Sequence, residues 1–400
     1  MRPAKAFDCR RATQGLPATR YTDPNLLPPS SHVFLKKSLF TLVLIAACAS
    51  AMAASNPKHT KSKPARNAVK PALPEGTAYG DRADVMRLAD DIAQRRNLDA
   101  EWVRSTLSKA RMLPSVVRAI TPPAVGTPKN WALYRSRFVE PIRIRAGVKF
   151  WLANQETLAR AEAQTGVPAS IIVGIIGVET IYGQQLGNYR VIDALTTLAL
   201  DFPDAHPRKT DRQAYFLSEL EAYLSLTQRT GTDPTALRGS YAGAMGWPQF
   251  MPSSWVKYGI DFDNDSRVDL FHSQADVIGS VANYFQAFKW KPGMPTHYPV
   301  QFEVARLDMP TLMAPDILPT FTPAAMQEKG VILPAAGLSH PGPLALVELQ
   351  NGADAPTYVA GTENFYAITR YNWSSYYAMA VIDLGQAVAQ ALQAQTGVPK

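Results

Sequence analysis

The sequence predicts a mainly helical protein with a small β-rich insertion near its C-terminal end. Three observations carry this expectation. Apolar residues recur at helical spacing in several separated windows, and between Pro292 and Tyr371 that period fails while proline becomes frequent. In addition, 46% of the 400 residues are hydrophobic and only 18% charged, enough apolar surface for a large folded body.

The first helix is expected after Asp81, a candidate N-cap, with Val85, Leu88, Ala89 and Ile92 on one face. Further windows follow at 140–165, at 168–182, and at 212–227 through Phe216, Leu220, Tyr223 and Leu224. The last two lie at 274–288 (Val277, Val281, Phe285, Phe288) and 374–394 (Val381, Leu384, Val388, Leu392). Within the insertion, β-type runs are expected at Val300–Val304, Leu344–Glu348, Thr357–Ala360 and Phe365–Ile368. The body therefore divides into a helical part, 79–296 with 372–396, and a β-rich subdomain, 297–371.

Ahead of the body, Lys36 and Lys37 precede the apolar run Leu39–Ile45 and a small-residue stretch to Ala54, the order of a secretory signal over 33–53. Residues 1–32 then read as an overlong gene start. The run is shorter than the roughly 20 residues of a spanning helix. Two processing sites compete. Ala51-Met52-Ala53 would release a chain starting at Ala54, whereas Ile45-Ala46-Ala47-Cys48 has the form of a lipobox that leaves Cys48 acylated. Cys9 and Cys48 are the only cysteines, so an exported body has no disulfide. Residues 54–78, basic and proline-bearing without apolar period, read as a disordered tether. The formal net charge of +8 comes from the residues before 75, and beyond them acids and bases nearly balance. The body thus gives no reason to expect a nucleic-acid partner.

In Ile171–Glu179, helical spacing puts Ile172, Ile175, Ile176 and Glu179 on one apolar face. A carboxyl group there is desolvated, which raises its pKa toward what a general acid needs near neutral pH. The bland alternative is a glutamate paired with a buried arginine or capping a neighbouring element. The segment Gly239–Pro252 is dense in glycine and proline, with Ser240 and Gln249 among aromatic residues. Such a loop lets backbone approach a ligand while aromatic faces stack on sugar rings, although the same composition suits a tight structural turn. The six histidines are scattered; His206, His272 and His297 show neither zinc-ligand nor triad spacing.

The pairing of Gly177-Val-Glu-Thr-Ile-Tyr-Gly183 with Gly243-Ala-Met-Gly-Trp-Pro-Gln-Phe-Met-Pro252, then an acidic run at 261–269 and Arg370-Tyr-Asn-Trp373, resembles the membrane-bound lytic murein transglycosylase B family. The resemblance spans about Asp81 to Leu392. It implies a lysozyme-like helical catalytic domain, a periplasmic location and peptidoglycan glycan strands as partner. The implied reaction cleaves the β-1,4 bond between N-acetylmuramic acid and N-acetylglucosamine without water, leaving a 1,6-anhydromuramoyl end. On this resemblance the catalytic acid falls on Glu179, and Ser240, Gln249, Tyr284, Tyr371, Asn372, Tyr377 and Tyr134 match saccharide-groove positions. The family's paired arginines, which serve the peptide side of the substrate, appear here as Asp211-Arg212 ahead of Tyr215-Phe216. Only Arg212, with Tyr215 beside it, carries over.

Asp261, Asp263 and Asp265 stand two apart, with Arg267 placed to give a carbonyl and Asp269 near, the oxygen-ligand spacing of a calcium loop. Ser266 replaces the turn glycine, and His272 stands where a bidentate glutamate is usual. The resemblance supplies Asp276 as late ligand, while Ser273-x-x-Asp276 also reads as a capping pair. A structural Ca²⁺ is the expectation, with no cofactor for chemistry. Two rival functions remain: a lysozyme-type hydrolase, which needs a second carboxylate for which the sequence offers no clear candidate, Asp193 and Asp201 being only nearby in the chain, and a catalytically idle peptidoglycan-binding scaffold. Outer-membrane attachment would follow only from an acylated Cys48.

Overall fold

Thr77–Ala78 (β1) pairs antiparallel with Arg111–Met112 (β2), tying together the ends of a helical pair, Ala83–Arg96 (α1) and Ala100–Lys109 (α2). This computed structural model describes residues 76–122 and 129–397; the leader, Cys48 and the tether before residue 76 lie outside them. Strand β1 falls inside the expected tether because its backbone finds a partner 35 residues on. Asp81 does not cap α1. Arg82 occupies the cap position without a side-chain bond, and Asp84 in the first turn pairs with it at 2.6 Å. Asp99 caps α2, accepting from Trp102 N at 2.6 Å.

Pro114–Ile120 (α3) and Pro141–Ala153 (α5) both begin on proline, whose missing N–H is no loss in a first turn; Trp131–Ser136 (α4) lies between them. The expected helix 140–165 is two helices, α5 and Gln155–Thr165 (α6). Asn154 breaks them: its Nδ2 donates to Phe150 O at 2.8 Å, competing with the helical bond, and to Gln274 Oε1 at 2.6 Å.

Ala169–Thr180 (α7) is apolar on all sides, and every residue but Ser170 and Glu179 is buried. Such a helix belongs at the centre of a bundle. It lies between α5 and Ser375–Thr396 (α16), the last helix. Two glycines set the approach: a Cβ on Gly174 would stand 2.3 Å from Val381 O, and one on Gly385 2.1 Å from Ser170 O. Around this core run Val191–Leu200 (α8), Lys209–Thr230 (α9), Pro252–Tyr258 (α10) and Gln274–Ala287 (α11). Tyr189–Arg190 (β3) pairs with Arg238–Gly239 (β4) at the root of the glycine-rich loop.

The insertion has its own core of Tyr298, Leu312, Met326, Val331, Leu333, Leu344, Leu346 and Ala360. His297–Pro299 (β5), Ala345–Asn351 (β8) and Asp354–Gly361 (β9) form an antiparallel sheet in the order β5-β9-β8, and Gln301–Phe302 (β6) pairs with Val331–Ile332 (β7). Short helices Met309–Met313 (α12), Pro323–Glu328 (α13) and Ala335–Leu338 (α14) complete it. The run Val300–Val304 is a strand only at its centre, and Val304 opens an exposed 3₁₀ turn.

The expected strand Phe365–Ile368 is instead part of a helix, Glu363–Tyr371 (α15). Thr362 nucleates it by accepting from Asn364 N and Phe365 N, and Phe365 and Ile368, three apart, share a buried face. Asn364 Nδ2 donates to Lys291 O and Met294 O, both at 2.8 Å, tying α15 to the helical core, while Phe365 meets His297 of the sheet edge-on at 6.5 Å. Among the described residues no single helix is long and apolar enough to cross a membrane.

Candidate active site

Glu179 is the penultimate residue of α7. Beyond Thr180 the chain reverses through three successive left-handed residues, Ile181 (φ 51°), Tyr182 (53°) and Gly183 (82°). Gly183 is demanded by space as well as angle, since a Cβ there would lie 2.3 Å from the Trp247 ring. Thr180 fastens the reversal, donating from Oγ1 to Trp247 O at 3.0 Å and accepting from Gly183 N at 3.1 Å. From α5, Arg143 donates through Nε to Gly177 O at 3.2 Å and through Nη1 to Arg137 O at 2.6 Å. Sequence reasoning misses both Thr180 and Arg143. Thr180 at least stands beside Glu179, but nothing local marks an arginine 36 positions earlier.

Burial pushes the Glu179 carboxyl up from the ordinary range to about 7. Tyr377 opposes the rise by donating its hydroxyl to Glu179 Oε1 at 2.5 Å. Among the described residues no arginine or lysine pairs with Glu179. Asp193 is committed elsewhere, accepting from Arg190 Nη2 at 2.7 Å and Arg111 N at 3.0 Å. Asp201 accepts from the Tyr79 hydroxyl at 2.5 Å.

An aromatic wall continues from Tyr377. Its ring stacks on Tyr371 (6.3 Å, 15° between planes), which meets Tyr284 at 4.7 Å. Two of these hydroxyls serve the backbone: Tyr371 donates to Pro248 O at 2.5 Å and Tyr284 to Arg370 O at 2.7 Å. Tyr134, on α4, packs against Trp131, Phe138 and Tyr376, and both burial and the nearby Glu179 charge raise its pKa. Asn372 is half-buried at the corner between α15 and α16, and its buried Oδ1 has no partner. Such an atom asks for a donor from a ligand.

In the glycine-rich loop, Ser240 Oγ accepts from Ala242 N (3.3 Å) and Ala244 N (3.0 Å), leaving its proton to donate. Gln249 adopts a left-handed backbone (φ 49°), and its Nε2 donates to Gly246 O (2.9 Å) and Leu186 O (3.3 Å). The loop is thus a tight turn as well as a candidate ligand surface. Arg212 and Tyr215 form a separate cluster on α9, with the guanidinium 5.3 Å from the Tyr215 ring and Nη2 buried without a partner. Two cavities, about 360 Å³ beside Trp102 and Asp233 and about 230 Å³ beside Trp151 and Leu392, lie away from all these residues.

The acidic loop draws three of its expected ligands together: carboxylate oxygens of Asp261, Asp263 and Asp276 lie within 4.8 Å of one another. Asp265 stands apart from that group, and its Oδ1 accepts from Arg267 N at 2.9 Å. Asp276 is fully buried and accepts from Phe262 N (2.7 Å) and Asp269 N (2.8 Å), clasping the loop's start to its end. Ser273 does cap α11, accepting from Asp276 N. Ser266 adopts φ 72°, the left-handed angle that its position in a calcium loop requires. Trp247 joins this loop to Glu179's helix: its N donates to Leu270 O (2.9 Å), its Nε1 to Phe271 O (2.8 Å), and its carbonyl receives Thr180.

The transglycosylase SLT domain family matches residues 80–386. Membrane-bound lytic murein transglycosylase B of Escherichia coli strain K12 is 37% identical over 370 residues, covering 87% of this chain and 96% of that protein. The fold resembles the Escherichia coli lytic transglycosylase Slt35, solved with bulgecin A and with calcium (TM-score 0.69, 36% identity, 80% of this chain and 96% of that one). It also resembles the soluble lytic transglycosylase SltB1 of Pseudomonas aeruginosa (TM-score 0.67, 35% identity, 77% and 99%). Together with a protonatable Glu179 set in a helical core, these likenesses identify the chain as a member of the transglycosylase SLT domain family.

Proposed function

We propose that this protein is a peptidoglycan lytic transglycosylase in which Glu179 is acid first and base second. The observation that carries the reading is a carboxyl group at the end of the buried helix α7, held by the Tyr377 hydroxyl at 2.5 Å and pushed by burial up to about 7. Protonated Glu179 gives its proton to the glycosidic oxygen as the bond to the muramoyl C1 breaks. The muramoyl acetamido group supports the cationic centre, and Ser240 and Asn372 orient acetamido groups. The carboxylate then takes the C6 hydroxyl proton while O6 bonds to C1, closing the 1,6-anhydro ring. Glu179 ends as it began, and no water is consumed. A two-carboxylate hydrolase would need a partner that Asp193 and Asp201, bonded elsewhere, do not provide. A binding scaffold would have no use for a desolvated acid.

Tyr134, Gln249, Tyr284, Tyr371 and Tyr377 would line the groove, and Arg212 with Tyr215 would meet the peptide side. The acidic loop would hold a structural Ca²⁺ through Asp261, Asp263 and Asp276. Ligands on opposite sides of that ion stand about 4.8 Å apart, which suits the cluster. Asp265 and the Arg267 carbonyl would join on small rotations. The body would work in the periplasm, tethered to the outer membrane if Cys48 is acylated, or free if cleavage precedes Ala54.

The decisive experiment is digestion of sacculi followed by mass spectrometry. Muropeptides should be lighter by one water than those of a muramidase; reducing N-acetylmuramic ends as the main product would reject the reading. Glu179→Gln should remove turnover by about 10²–10⁴-fold or more. Fractionating cells that express wild type and Cys48→Ala decides the anchor, since a soluble wild-type protein beginning at Ala54 would exclude it.

A further inference from the structure

The corner between α15 and α16 is tight: Ser374 N donates to Asn372 O at 2.6 Å. It sorts the side chains around it. Tyr371 and Tyr377 belong to the wall beside Glu179, whereas Trp373 is 41% exposed, more than any other of the seven tryptophans. An exposed tryptophan ring is usually mobile, but this one is held. Tyr366 meets it edge-on (5.9 Å, 85°), and the Arg370 guanidinium lies 5.3 Å from its centroid.

Arg370 is unusual in its turn. Several guanidinium groups near the core have carboxylates: Arg95 and Arg96 share Glu221, Arg135 has Asp383, and Arg190 has Asp193, whereas Arg212, like Arg370, lies over aromatic rings. Arg370 has ring faces alone, those of Trp373, Tyr366 (5.8 Å) and Phe288 (5.7 Å). Among the described residues it has no ion-pair or side-chain hydrogen-bond partner, and none of its nitrogens is among the buried unsatisfied atoms, so they keep access to solvent. Ring faces orient a guanidinium without using its five donors, which match a carboxylate in pairs. Two residues along, Asn372 offers a buried, unpartnered Oδ1.

We propose that Trp373 and Arg370 form an outer subsite of the groove for a muramoyl residue carrying its stem peptide. The sugar ring stacks on the open face of Trp373, and a peptide carboxylate pairs with Arg370. This inference rests on the peptidoglycan reading and adds to it a second place, beside Arg212, where the peptide is read. The subsite binds without taking part in bond cleavage.

Its test is calorimetric binding in the Glu179→Gln protein, which holds strands without cutting them. The probes are a tetrasaccharide of alternating N-acetylglucosamine and N-acetylmuramic acid with stem peptides, and the same strand after amidase treatment. Trp373→Ala should weaken both probes about tenfold, and Trp373→Phe, which keeps an aromatic face, should recover most of that loss. Arg370→Gln should weaken the peptide-bearing strand about tenfold and leave the stripped strand unchanged, with Arg370→Lys between. Thermal midpoints equal to the parent exclude misfolding. Unchanged binding by Trp373→Ala, or equal losses on both probes by Arg370→Gln, overturns the subsite alone. A parent that binds neither probe overturns the peptidoglycan reading with it.

Discussion

Replacing Tyr377 by phenylalanine removes one hydroxyl, the donor to Glu179 Oε1 at 2.5 Å, and leaves the ring stacked on Tyr371. That bond stabilises the carboxylate form and so holds the Glu179 pKa down against burial. A hydrogen bond to a charged group contributes about 1.5–3 kcal/mol, and about 1.4 kcal/mol equals one pKa unit. The variant's acid should therefore titrate about one to two units higher than the wild-type value near 7, the lower figure applying if water enters the space. With Glu179 as the proposed acid, the free enzyme needs it protonated and kcat/KM should fall above this pKa. Its alkaline limb should move upward in Tyr377→Phe, whatever happens to the plateau. The assay is kcat/KM on soluble glycan strands across neutral and alkaline pH. Tyr371→Phe is the control, since that hydroxyl donates to Pro248 O and its loss should not move the limb. A limb that stays in place or moves downward would refute Glu179 as the acid or Tyr377 as its regulator.

Three further outcomes follow from the same geometry. A raised carboxyl pKa gives stability that is complete below the unfolded value of about 4.5 and lost as pH rises through about 7. Glu179→Gln should therefore melt a few degrees above wild type at pH 8 and close to it at pH 4, and equal midpoints at both would show that the site stores no such cost. Ser266→Gly, relieving a left-handed serine, should stabilise by about 1 kcal/mol and tighten calcium binding; a lower midpoint would mean that Ser266 has another task. Gly183→Ala forces both a φ of 82° and the Trp247 contact, so it should cost about 1–3 kcal/mol and lower turnover. Wild-type activity would show that the reversal does not position Glu179.

Glu179, the glycine-rich loop and the acidic loop are legible because each is local: its residues lie within 16 positions of one another. The buried stripe of α7 could be read from Ile172, Ile175 and Ile176 alone. What escaped depends on contacts distant in sequence. Phe365–Ile368 has the composition of a strand, and only the Thr362 cap and the packing of Asn364 on the Lys291 and Met294 carbonyls make it helical. The break at Asn154 rests on its bond to Gln274, 120 residues away. Arg143 is invisible for the same reason, since its partner is a backbone carbonyl on another helix. At Asp265 the spacing suggests a ligand while the turn gives its Oδ1 an internal donor, Arg267 N, which spacing alone does not show.

The placement of Glu179 at the end of α7 also sets when the acid is loaded. The carbonyl end of a helix carries a partial negative charge, and an ionised carboxylate within the last turn is disfavoured by about 0.3–1 kcal/mol. Arg143 donates to one of those carbonyls, at Gly177, and Gln185 N donates to another, at Thr180, which offsets part of that field. This field belongs to the backbone, so it is present before any sugar arrives. Under the proposed mechanism, a larger share of the acid therefore holds its proton before substrate has expelled any water. Brief encounters with an insoluble wall can then be productive.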